Sequence, residues 1–182
     1  MEHLITLDDS GRMVATDRAA LARAVAELLD GPLDRPEPLR RAGLGHLVLG
    51  RHEEAVALLE RSLALAGERF AVAVHLNLAD AHRYAGALDA AEPHYQRALR
   101  LAEAHAPDLL SFCFQHLGKQ RLDQGRTEEA RAWLEKALHR RRVQGEASLV
   151  AATEAALRLV DRSGHAASRR PAPGGAAGPS VG

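Results

Sequence analysis

One cysteine in 182 residues, Cys113, excludes an internal disulfide and a thiolate cluster for a metal, and suits a reducing cytoplasm. Aromatic residues make up 3% of the chain, which leaves no platform for stacking the bases of single-stranded nucleic acid and argues against a sheet-built core. Charge of either sign is not in excess: Lys+Arg 24 and Asp+Glu 24 cancel, so no overall field draws the chain to nucleic acid or to an anionic membrane. No apolar run approaches the roughly 18 residues of a membrane span, and Met1 to Leu4 does not begin a basic segment leading into an apolar one. The chain is therefore expected to be soluble, not exported and cytoplasmic, with no membrane or nucleic-acid partner. No Gly-x-x-x-x-Gly-Lys-Ser/Thr phosphate loop and no His-Glu-x-x-His pair occurs, so no cofactor and no metal are expected either.

What is present is alanine, leucine and arginine, a mixture suited to closely packed helices. Lysine occurs only at Lys119 and Lys136, an arginine bias that points to a GC-rich bacterial genome. Residues 4–15 alternate apolar and polar side chains on both sides of Asp8-Asp9-Ser10-Gly11 and read as a short hairpin. A helix follows from an N-cap at Thr16 or Asp17 through Leu21, Val25 and Leu28-Leu29 to Asp30-Gly31-Pro32. Residues 1–35 thus form an N-terminal segment ahead of a stiff connector, Asp34-Arg35-Pro36-Glu37-Pro38. At the other end, residues 163–182 are Ser, Gly, Ala, Pro and His with Arg169-Arg170, a composition expected of a disordered tail.

Between these a unit recurs. Leu49-Gly50-Arg51-His52-Glu53-Glu54-Ala55, Ala85-Gly86-Ala87-Leu88-Asp89-Ala90-Ala91 and Gln124-Gly125-Arg126-Thr127-Glu128-Glu129-Ala130 share one frame, each with a leucine eight residues on, at Leu63, Leu99 and Leu138. Each glycine closes one helix in the left-handed conformation, and the acidic-rich stretch after it opens the next. Small residues recur where the two helices must approach: Gly43, Ala55 and Ser62; Ala79, Ala91 and Ala98; Gly118, Ala130 and Ala137. A period of this size marks a solenoid. The units span about 36–69, 72–105 and 111–144, followed by a capping helix at 147–162, which makes 36–162 one domain.

The third unit, His116-Leu117-Gly118, then Gln124-Gly125-Arg126-Thr127-Glu128-Glu129-Ala130 and Lys136-Ala137-Leu138, resembles the tetratricopeptide repeat consensus, and the resemblance extends over residues 36 to 144. The family's tryptophan is replaced by Leu39, His75 and Phe114, its tyrosine by His46, His82 and Arg121, and the closing proline is missing. The resemblance implies an all-α, right-handed solenoid of antiparallel helix pairs, non-enzymatic, that holds a peptide or helix of a partner protein in a concave groove. Carried over, that groove presents Arg40, Leu44 and Leu47 from the first unit, Asn77, Asp80, Arg83 and Tyr84 from the second, and Phe112, Gln115, His116, Lys119 and Asp123 from the third. The family also includes repeat domains of bacterial transcription and signalling proteins, which leaves a ligand-switched regulator as the alternative. Self-association through an imperfectly capped end stays open.

Three other features admit plainer accounts. The ten histidines include His75 and His82, about 10 Å apart along one helix by its rise, too far for one metal shell. Cys113 lacks a base partner in sequence and reads as a helix residue. The basic cluster His139-Arg140-Arg141-Arg142 falls at a helix end, where cations are favoured by the helix dipole.

Overall fold

Asp17 accounts for how the solenoid begins: its carboxylate accepts the N–H of Ala20 at 2.9 Å and caps α1, Arg18–Leu29. The computed structural model describes residues 1–168. Ahead of α1, β1 (Ile5–Leu7) and β2 (Met13–Ala15) pair antiparallel, Thr6 opposite Val14. The turn between them is built by Asp8, whose carboxylate accepts the N–H groups of Ser10 and Arg12 at 2.8 and 3.0 Å, while Gly11 takes a φ of 73°.

Three helix pairs follow: α2 (Pro36–Val48) with α3 (His52–Leu65), α4 (Glu68–Tyr84) with α5 (Leu88–His105), and α6 (Leu110–Asp123) with α7 (Thr127–Gln144). The first helix of the second pair opens at Glu68, ahead of the expected 72. Gly50, Gly86 and Gly125 close their helices at φ of 75°, 82° and 74°, as their spacing requires. In each, the residue after the glycine donates back to a carbonyl one helical turn deeper, as in Arg51 to His46 at 2.9 Å.

The small residues set how closely each pair packs. A Cβ placed on Gly43 would stand 2.7 Å from Leu59 Cγ and 3.2 Å from the Ala55 carbonyl oxygen; on Gly118 it would stand 2.7 Å from Leu134 Cγ and 3.2 Å from the Ala130 carbonyl oxygen. The first and third pairs are thus the same contact built twice, and Ala79 fills the equivalent place in the second. Between pairs, Arg121, which stands where the family has tyrosine, grips Glu92 through two nitrogens at 2.6 and 2.7 Å. The bond holds the Glu92 carboxyl at about 2.

Both ends are covered. Gly45 lets Val25 of α1 sit against α2, since a Cβ there would come within 2.2 Å of Val25 Cγ2. At the other end α8, Ala147–Ser168, brings Ala156 and Val160 onto Ala130 and Leu134. It runs past the expected end at 162, so the first residues assigned to the tail, 163–168, are helical; 169–182, including Arg169-Arg170, lie outside the described residues.

His75 and His94 meet between α4 and α5 with their Nδ1 atoms 3.1 Å apart, and His82 stacks on His94. Burial first, then the neighbouring His94, pushes His75 down to about 4. The unfolded chain, with an ordinary histidine near 6.5, therefore binds more protons than the folded one between those values, and stability falls as pH falls through that window. Lowering the pH from 7 to 5 is expected to remove about 1 kcal/mol through this pair, allowing for solvent at its outer edge. Urea unfolding at both pH values, wild type beside His75→Phe, checks it: an unchanged pH slope in the variant would show that the pair is not responsible.

Candidate functional site

The first helices of the three pairs, α2, α4 and α6, lie side by side, and the hairpin lies across one face of them toward the ends of α2 and α4 and onto α6. The Met13 N–H donates to the Tyr84 hydroxyl at 2.8 Å, and the Lys119 ammonium donates to the Gly11 carbonyl at 2.8 Å. The Arg12 guanidinium sits 5.1 Å from the centre of the Tyr84 ring and 3.6 Å from an Asp123 carboxylate oxygen. Tyr84, Lys119 and Asp123, expected to face a partner, face the chain's own N-terminus. Leu44 and Leu47 belong to the apolar cluster on which Met1, Leu4, Ile5 and Met13 pack. Leu47 is core at 1% exposure, which corrects its assignment as a groove residue.

Asp80 and Arg83 also need correction. Asp80 is fully buried and Arg83 is 3% exposed. Arg83 donates to Asp80 at 3.1 Å, to Asp123 at 2.9 Å and to the Tyr95 hydroxyl at 3.0 Å, while Tyr95 in turn donates to Asp80. His116 Nδ1 stands 3.1 Å from one Asp80 oxygen and 3.2 Å from the other, so it carries the proton. Burial alone would raise the Asp80 carboxyl; the His116 and Arg83 charges outweigh it and hold it far below the ordinary carboxylate range. The charges of Asp80 and Arg83 are consumed internally. Gln115, at 4% exposure, is likewise turned away and bonded to Arg141.

The N-terminal half of the face is open. Arg40, Asn77, Phe112 and His116 border a cleft of about 260 Å³ whose floor is Val72, Ala73, Leu76 and Leu109. These last four residues were missed from sequence, because the consensus names polar positions and not the apolar floor between them. Asn77, the chain's single asparagine, accepts a hydrogen bond from Arg40 Nη1 at 3.1 Å. Arg40 lies 5.7 Å from the Phe70 ring centre, its Nε has no hydrogen-bond partner, and among the described residues no carboxylate pairs with it. Burial pulls its pKa downward, and the more distant Glu2 and Glu37 carboxylates offset this only in part.

The basic cluster is absorbed by the end cap. Arg141 is 2% exposed and donates to Gln115, Thr153 and the Leu149 carbonyl, with Phe112 5.3 Å away; Arg142 pairs with Glu154 at 2.8 Å, and Arg140 donates to the Pro107 carbonyl. Helix-end electrostatics alone, the sequence account, does not describe this: the cluster anchors α8. Burial pushes the Cys113 thiol up to about 12, which keeps it protonated at neutral pH. Among the described residues no three His, Cys, Asp or Glu side chains converge as a metal shell would require, and no helix is long and apolar enough to cross a membrane.

Comparison with known proteins bears on the same architecture. Among solved structures, MamA is 16% identical, with 85% of this chain and 92% of that chain covered and a TM-score of 0.49. BtubC (BKLC) from P. vanneervenii is also 16% identical, with 90% of this chain and 78% of that chain covered and a TM-score of 0.52, a likeness of fold alone. None of the curated proteins matches the chain. The family model described as tetratricopeptide repeat matches residues 34–104 and 70–142, which together span more than half of the chain. With three glycine-closed helix pairs in register and this match across all of them, the chain belongs to the tetratricopeptide repeat family.

Proposed function

We propose that the chain holds a short segment of a partner protein in the open half of its concave face, with Arg40 receiving an acidic group of that segment. The repeat fold is a protein-interaction module in general; the Arg40 environment carries the finer reading. A cation partly withdrawn from water is strongly stabilised by a directly bonded carboxylate; here its direct contacts are the Asn77 amide and the Phe70 ring, and Glu2 and Glu37 act on it only from a distance. The apolar floor supplies contact area, and the Asn77 amide N–H groups remain available to a backbone carbonyl. A peptide-display selection against the wild-type protein should return segments rich in Asp, Glu or a free C-terminal carboxylate. Affinity for them should fall at least about tenfold, about 1.4 kcal/mol, in Arg40→Ala and in Asn77→Ala. Selected peptides that bind both variants as well as wild type would sink the assignment. The alternative reading, a regulator that changes with its ligand, gains support from one observation, the hairpin lodged in the other half of the same face.

A further inference from the structure

The hairpin meets the groove as a ligand would. Its contacts to α4 and α6 comprise one backbone N–H to Tyr84, one backbone carbonyl to Lys119, and one side chain, Arg12, between the Tyr84 ring and the Asp123 carboxylate. Main-chain bonds with a slot for one alternate side chain are how a receptor reads an extended peptide. The slot is also preorganised, because Arg83 fixes Asp123 at 2.9 Å from beneath. Among the described residues the one hydrogen bond of the Lys119 ammonium goes to Gly11. Burial pushes that ammonium down to about 8.

The hairpin is only partly buried, with Ile5, Met13 and Ala15 against the apolar cluster. Neither three-residue strand contains a buried residue, and Leu7 is 45% exposed. Its turn meets α8 only in part: Gly11 lies close to Leu159, and Asp8, Asp9 and Gly11 line a cleft of about 410 Å³ with Ala152, Ala156 and Leu159. Two short strands without further sheet have little stability of their own.

We infer that Gly11-Arg12-Met13 is a built-in ligand occupying half of the groove, and that a partner displaces it with an extended, arginine-bearing segment repeating its contacts. The inference deepens the groove reading above by naming what the filled half accepts. It also makes the hairpin a gate: affinity for any segment spanning both halves is reduced by the fraction of molecules in which the hairpin is seated.

The test uses a fluorescein-labelled synthetic peptide with the sequence of residues 4–16 and the full-length chain. Met13→Pro removes the N–H given to Tyr84 at an outer strand edge, where proline is tolerated, and Arg12→Ala empties the slot. The Arg12→Ala/Met13→Pro chain is expected to bind the peptide at least about tenfold more tightly than wild type. Adding Asp123→Asn or Tyr84→Phe should reverse the gain, as should a peptide with glutamine for arginine. Equal affinity in wild type and released chain, binding indifferent to Asp123 and Tyr84, or no binding to either chain overturns the inference. Should the released chain unfold, amide hydrogen exchange in wild type decides: saturating peptide must raise exchange at Met13, and unchanged protection there overturns the inference equally. Loss of acidic-peptide binding at Arg40 with this result intact would remove only the proposal for the open half.

Discussion

Arg83→Met is expected to lower unfolding stability by about 3 to 5 kcal/mol at pH 7. The substitution keeps most of the side-chain volume but leaves Asp80, fully buried, without its guanidinium partner. The remaining donors, Tyr95 and His116, are one hydroxyl and one imidazole. Urea unfolding followed by circular dichroism reads the change as a midpoint displaced by about 1 to 2 M for a slope near 2 to 3 kcal/mol/M. Converting Asp80 to Asn in the same chain should restore much of the loss, because the damage is the orphaned charge and not the missing ion pair. A loss below about 1 kcal/mol in the single variant would mean that water reaches Asp80, and the network could no longer be treated as interior.

Leu134→Ala should cost about 3 kcal/mol, within the range for a fully enclosed leucine. Leu134 fills the space that Gly118 leaves free and carries Ala156 and Val160 of the capping helix on its other side. Its removal opens one cavity at two interfaces, that of α6 with α7 and that of α7 with α8. The pairing with glycine gives the experiment an internal control. Gly118→Ala alone forces its new methyl against Leu134, but in the Leu134→Ala background only the Ala130 carbonyl oxygen, 3.2 Å away, still crowds that methyl, while helix propensity improves by about 1 kcal/mol. The double variant should therefore be more stable than Leu134→Ala alone. Thermal unfolding of the four chains checks the sign, and a double variant less stable than either single one would show that the pair packs differently.

The repeat register was legible because its determinants are local. Gly50, Gly86 and Gly125 each act within one turn, and Gly43, Ala79 and Gly118 act at a fixed spacing from their partners. The hairpin at 5–15 was legible for the same reason, since Asp8 builds its turn from within. Its destination was not: nothing near Arg12 indicates Tyr84 or Asp123. The candidate site divided along the same line. Arg40, Asn77, Phe112 and His116, which the consensus assigns to the groove, border one cleft. The consensus cannot say whether a charged residue on that face looks outward, and for Asp80 and Arg83 the answer depended on Tyr95 of the neighbouring helix and Asp123 of the next pair. Arg141 gave a similar surprise, because its acceptors Gln115 and Thr153 lie on two other helices.

In an array of helix pairs each unit leans on its neighbours, so an end can ordinarily fray by itself. The bonds from Gly11 to Lys119 and from Met13 to Tyr84 join residues 108 and 71 positions apart, which makes the hairpin a bowstring across an otherwise open arc. Strung, the arc has a set curvature, and the last pair cannot bend away from the second without first breaking a bond to the beginning of the chain. Such a closure forms late in folding, because the intervening chain must be ordered before the string is short enough to reach.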